Sequence, residues 1–359
     1  VPGAKSNVLN LEPYTLNPHT MPFRAIIGQD RALTLLRRAL RTGRLAQAYL
    51  FVGPEGVGKK TTALALAQAV NCREEREQDA CGTCSPCRKI QHGLHPDVRV
   101  VEPEAGKVKL GVDQVRELLT EAAMKPYEGR RKVFILEKAD RMTEEGENAL
   151  LKTLEEPVGE TLLILVTSNP SALLPTIISR CQEVRFPPIP PEPLAAYLSR
   201  EKGVDPLKAR LLARLSGGSL GLALRMEDDG LLETRDRVVE TVFQAVQQGD
   251  MAILELAETL AKDKETLDEA LGSLQSYARD LVAWKLTGRR DLLVNEDHAE
   301  EINRRSAPLS EEGLRSLYAA IQEARNGIGR NWNARLTLEV MLFKIREVIS
   351  PSGEGVLHA

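Results

Sequence analysis

Three groups of residues in this sequence have the types and spacing to do chemistry. The first is Gly53-Pro54-Glu55-Gly56-Val57-Gly58-Lys59-Lys60, spaced as a loop that holds phosphate. Glycines let backbone N–H groups converge on phosphate oxygens, and the N-terminus of a following helix adds positive potential. Lys59 would bring a charge to the outer phosphates. The next position should carry a hydroxyl for Mg²⁺, and here it is Lys60. Thr61 follows and could supply a displaced hydroxyl. A plain glycine turn is the bland alternative, but the patterns on either side read as strand and helix.

The second group is Cys72, Cys81, Cys84 and Cys87. Four thiolates this close, with tight turns at Gly82, Ser85 and Pro86, suit tetrahedral Zn²⁺. A full set of sulfur ligands leaves no open position, so such a zinc would be structural. Unliganded thiols are one alternative, and an iron–sulfur cluster is another that fits the spacing less well. Cys181 lies far away in sequence and is not needed for the metal.

The third group follows an apolar strand pattern, Val133-Phe134-Ile135-Leu136. In a nucleotide-hydrolysing site a carboxylate at such a strand end organises Mg²⁺, and the next residue polarises the attacking water. Glu137 fits the first role with a longer side chain. Lys138 cannot act as a base while it holds its proton, at an unperturbed pKa of about 10.4. Asp140 is displaced by two positions and reads as an ordinary surface carboxylate. Two separate catalytic positions thus carry the wrong residue.

The elements that must position these groups are legible as patterns. Ala48–Val52 reads as the strand before the loop, and Thr61–Val70 as the helix after it. Further strands are predicted at 97–101, 132–136, 161–166 and 183–186, with helices at 112–124 and 144–156 between them. Alternation of helices with strands apolar on both faces predicts an α/β fold with a parallel sheet. Functional residues of such folds gather at the carboxyl ends of the strands. Ahead of the loop, Leu33, Leu35, Leu36 and Leu40 predict a helix over 31–42. Arg37, Arg38, Arg41 and Arg44 lie mostly off its apolar stripe, as a solvated face or as contacts to DNA phosphates.

The proline cluster from Pro187 to Pro193 predicts a hinge. Beyond it three short helices are expected at 193–201, 206–215 and 219–226, within a small helical lid domain over 188–230. Helical segments near 231–248, 251–262, 264–286, 312–326 and 333–348 then predict an all-α domain over 231–349 that serves assembly. The P-loop domain is expected over 21–187, with its cysteine module at 72–87, a flexible leader over 1–20 and a flexible tail over 350–359. The net charge of −3 over 359 residues argues against the whole chain as a general polyanion binder but leaves room for a local basic face, and 4% aromatics argue against a base-stacking platform. No apolar run is long enough to span a membrane and no secretory signal is visible, which predicts a cytoplasmic protein with no membrane partner.

Several of these segments together resemble the clamp-loader subunits of bacterial DNA polymerase III, of the AAA+ class. Ile27-Gly28-Gln29 resembles the family's adenine-contacting segment, and the four cysteines its zinc module. Asn148-Ala149-Leu150-Leu151-Lys152-Thr153-Leu154-Glu155-Glu156-Pro157 is highly characteristic. Ser179-Arg180-Cys181 resembles its trans-acting arginine motif, and Asn331-Trp332-Asn333-Ala334-Arg335-Leu336 a segment of its C-terminal collar. The likeness covers roughly residues 21–348.

Within that family the gamma/tau type is the ATP-hydrolysing motor. The delta-prime type keeps the arginine motif and has lost its own active site. Lys60, Lys138 and Gly221, where the motor carries a nucleotide-sensing arginine, fit the second type, as do His95-Pro96-Asp97 and the segment Gly111–Arg116. The resemblance implies a non-hydrolysing subunit that presents Arg180 to a neighbour's ATP. It implies gamma/tau and delta subunits as partners, with the sliding clamp and primed DNA reached through the complex. Gly53, Gly56, Gly58, Lys59, Thr61 and Glu137 remain as a degenerate pocket, open to ATP or ADP without turnover. The competing readings are an active motor, with Thr61 and Glu137 or Asp140 replacing the missing groups, and a cysteine module that binds nucleic acid by itself.

Overall fold

The computed structural model describes residues 22–74, 79–104, 106–156, 159–228, 231–330 and 332–349. The leader and tail expected at the ends lie outside them. The chain divides into two compact units. One runs through Val204 and takes in Gly217–Leu224. The other holds Asp205–Ser216 and the chain from Arg225 onward.

In the first unit, α1 (Asp30–Arg41) buries Ala32, Leu33, Leu36 and Ala39. Then come β1 (Ala48–Val52), α2 (Lys59–Asn71), α3 (Ser85–Gln91), β2 (Val98–Val101) and α4 (Val112–Ala122). They are followed by β3 (Lys132–Leu136), α5 (Glu144–Glu155), β4 (Thr161–Thr167), α6 (Pro175–Ile178), β5 (Gln182–Arg185) and α7 (Pro191–Lys202). The five strands form one parallel sheet in the order β2-β3-β4-β1-β5. Every residue of β3 and β4 is buried, as strands covered on both faces must be. Tyr49, Phe51, Ile135 and Leu66 fill one layer against the sheet, and Leu50, Leu136, Leu118 and Leu150 fill the other.

The second unit contains α8 (Pro206–Leu215), the later part of α9 (Leu220–Asp228), and six further helices. These are α10 (Leu231–Gln248), α11 (Asp250–Leu260), α12 (Lys264–Thr287), α13 (Ala299–Ser306), α14 (Glu311–Gly329) and α15 (Ala334–Ile349). Val242, Ile253, Leu271, Leu281, Leu317 and Leu342 anchor its apolar core. Arg235 is almost wholly buried there, paired with Asp236 and Asp297, as a buried charge requires. No helix among the described residues is long and apolar enough to cross a membrane.

Candidate functional site: a phosphate loop with its own cation

The loop Gly53–Gly58 joins the carboxyl end of β1 to the first turn of α2. Gly58 caps the helix at φ 98° and Gly56 stands at φ 73°, both left-handed. Only glycine reaches such angles without a steric penalty. A Cβ on Gly53 would lie 2.1 Å from the carbonyl oxygen of Phe186, so this position excludes any side chain.

Lys59 is buried, and its Nζ donates to the carbonyls of Gly53 and Pro54 at 2.5 and 2.6 Å. Burial holds its pKa below the usual lysine range. Lys60 does something no hydroxyl could. Its Nζ lies 2.5 Å from Glu102 Oε1 and 2.7 Å from Glu137 Oε2. Sheet register creates this meeting. Val101 pairs with Leu136, and the Glu137 N–H donates to Val101 O at 2.9 Å, so the two strand ends bring both carboxylates together.

Burial, reinforced by the hydrogen bond with Glu102, pushes Glu137 up to about 7. The same bond holds Glu102 below its ordinary value. Burial works against the charge on Lys60, but the two carboxylates outweigh it and raise its pKa. The residues therefore do not fit a divalent cation. The hydroxyl that would bind it is absent, and an ammonium already neutralises the carboxylate that would face it. Thr61 is the next residue of α2, turned about 100° from Lys60 around the helix axis.

Asp140 is not an ordinary surface carboxylate. It accepts from Thr167 Oγ1 at 2.6 Å and ties β3's exit loop to the end of β4. Lys138 has φ 53°, the one non-glycine residue with positive φ among the described residues. Gly221 packs directly on the loop. Its N–H donates to Gly56 O at 3.0 Å, and a Cβ here would lie 3.1 Å from Gly56 Cα.

The four cysteine sulfurs all lie within 4.8 Å of one another, and three of the residues are buried. Cys72 and Cys84 are 3.9 Å apart at Sγ, as are Cys81 and Cys87. A tetrahedron with ligands about 2.3 Å from its centre has edges of about 3.8 Å, so the set fits one metal ion. Burial would raise the Cys81 thiol, but the Thr83 hydroxyl and the N–H groups of Cys84 and Thr83 bring it down to about 6. Cys181 stands outside this cluster, and burial pushes its thiol up to about 12.

Arg180 is exposed at the end of the short helix α6. Its guanidinium pairs with Glu155 Oε1 at 2.6 Å and donates to Thr176 O at 3.0 Å. The end of α5 and the arginine segment therefore meet. Asp97 was singled out only by resemblance, and the coordinates supply its physical role. Its carboxylate accepts the N–H groups of Tyr127, Glu128 and Gly129 at 2.7–2.8 Å. Burial alone would raise its pKa, but these donors hold it below its ordinary value.

Residues 28–190 match the family model for DNA polymerase III, delta subunit, and residues 229–347 the model for its C-terminal part. The DNA polymerase III subunit delta' of Bacillus subtilis (strain 168) is 31% identical over 322 residues, 89% of this chain and 96% of that protein. The chain belongs to the DNA polymerase III delta' subunit family. The DNA polymerase III subunit tau of Escherichia coli (strain K12) is 30% identical over 336 residues, but the delta' family member spans only 48% of tau against 92% of itself. The Holliday junction branch migration motor RuvB of Thermotoga maritima is also matched, at 17% identity and a TM-score of 0.42, over 82% of this chain and 92% of that one. The parallel sheet with its glycine loop after β1 is a P-loop α/β fold.

Proposed function

We propose that this chain is a non-hydrolysing subunit of the bacterial sliding-clamp loader, and that it acts on ATP only through Arg180, offered to a neighbouring subunit. The observation that carries the proposal is Lys60 lodged between Glu102 and Glu137, where a hydrolytic site needs a metal ion. An arginine supplied in trans is worth about 10³–10⁵ in rate to a phosphoryl-transfer site. Arg180 suits that role: it is exposed, lies at a helix end, and rests on a single exposed carboxylate that a phosphate can outcompete. Decay of the chain's own loop costs such a residue nothing.

The partners of this reading are gamma/tau and delta subunits, the sliding clamp, and primed DNA through the complex, all in the cytoplasm. The helices of the second unit form the assembly surface. Cys72, Cys81, Cys84 and Cys87 hold a structural Zn²⁺ that leaves no position for substrate. The test is a complex reconstituted with Arg180→Ala. Assembly should be unchanged, while turnover at the neighbouring site falls by about 10³ or more. Unaltered turnover in the assembled variant overturns the proposal.

A further inference from the structure

The charge of this chain is unevenly placed. Residues 30–44 carry Arg31, Arg37, Arg38, Arg41 and Arg44 against Asp30, a net +4, while the whole chain carries −3, which leaves −7 elsewhere. Among the described residues, the side chains of Arg31, Arg38, Arg41 and Arg44 make no ion pair or hydrogen bond. Arg37 alone is engaged, over the ring of Phe23 at 5.8 Å. Guanidinium groups such as those of Arg99, Arg289 and Arg335 sit on carboxylates, whereas these four, gathered on α1 and the turn after it, do not.

These arginines also share a shape. Arg31, Arg38 and Arg44 line a groove of about 700 Å³ along α1, together with the hydroxyl residues Thr34 and Thr42. Asp30 is the one carboxylate on its wall. Arg31 and Arg38 stand two turns apart on one face, about 10 Å along the axis. All the cations are arginine, whose planar fork matches phosphate oxygens in pairs. No aromatic side chain lines the groove, so it lacks the stacking platform by which single strands are held.

We propose that this groove on α1 binds the phosphate backbone of duplex DNA without reading its sequence. No residue of the phosphate loop lines the groove, its wall reaches Gln182 two residues beyond Arg180, and its binding of duplex does not depend on the trans-acting role assigned above.

Fluorescence anisotropy of a labelled 20-base-pair duplex, titrated with the full chain across a salt series, tests this. Each arginine that neutralises a phosphate adds about −0.9 to the slope of log affinity against log salt. The triple variant Arg31→Ala, Arg38→Ala, Arg44→Ala should therefore flatten the slope by about 2.7. Between 50 and 200 mM salt the wild type then loses about 40-fold more affinity than the variant. The matching lysine triple variant should keep the slope. No binding by the wild type, or an alanine variant with unchanged slope, overturns the proposal. Tighter binding of poly-glutamate than of duplex also overturns it and assigns the groove to an acidic protein.

Discussion

Glu137→Gln turns the carboxyl beside Lys60 into a permanently neutral group. In the native protein, burial and the hydrogen bond with Glu102 hold Glu137 up to about 7. In the unfolded chain it returns to about 4.3. A carboxyl with a raised native pKa binds its proton more tightly when folded. Its contribution to stability is therefore full below about pH 4.3 and is lost as pH climbs through about 7. The gap corresponds to about 3–4 kcal/mol at most. Glu102 is held lower by the same bond, so it is ionised in both the folded and unfolded states above about pH 5 and offsets nothing between pH 5 and pH 8. Glutamine does not titrate. The unfolding free energy of the variant relative to the wild type should thus move in the variant's favour by about 2–3 kcal/mol between pH 5 and pH 8. Urea unfolding at the two pH values measures this, and other titrating groups cancel in the difference. A difference that stays flat, or that moves against the variant, refutes the account of the Lys60 cluster.

Cys84→Ser should lower the bound zinc per chain, read by elemental analysis of the purified protein; metal content equal to the wild type contradicts the four-sulfur site. Asp97→Ala strips the partner from three backbone N–H groups and should cost about 2–4 kcal/mol in urea unfolding, whereas a loss under about 1 kcal/mol denies it the anchoring role. Gly221→Ala places a Cβ 3.1 Å from Gly56 Cα and should destabilise by about 1–3 kcal/mol, so restoring a sensing arginine here would push the loop aside rather than rebuild a motor. A Gly221→Ala protein as stable as the wild type removes that steric argument.

Much of the site was legible because it is local. Strand, glycine loop and helix follow one another within Ala48–Asn71, and the four cysteines fall within sixteen positions. Lys60 and Lys138 announced themselves by standing where a hydroxyl and a carboxylate belong. Element boundaries shifted by a residue or two, as with β5, expected at 183–186 and found at Gln182–Arg185. The short helices α3 and α13 were missed. Seven or eight residues are too few for an apolar stripe to repeat, and α3 is hidden among metal-ligand spacings. What the sequence could not show is what parallel pairing brings together. Glu102 lies 42 residues from Lys60, and only the β2–β3 register sets it beside Glu137. The contact of Gly221 with Gly56 crosses a still longer separation, and Asp140's bond to Thr167 depends on the 3₁₀ turn Ala139–Arg141 that follows β3.

The most direct measurement is steady-state ATP hydrolysis by this chain alone, and then by the chain mixed with gamma/tau, delta, clamp and primed DNA. The account predicts no turnover by the isolated chain, and turnover in the mixture that depends on Arg180. Hydrolysis by the isolated chain would contradict it, because Lys60 would then be compatible with a working metal site.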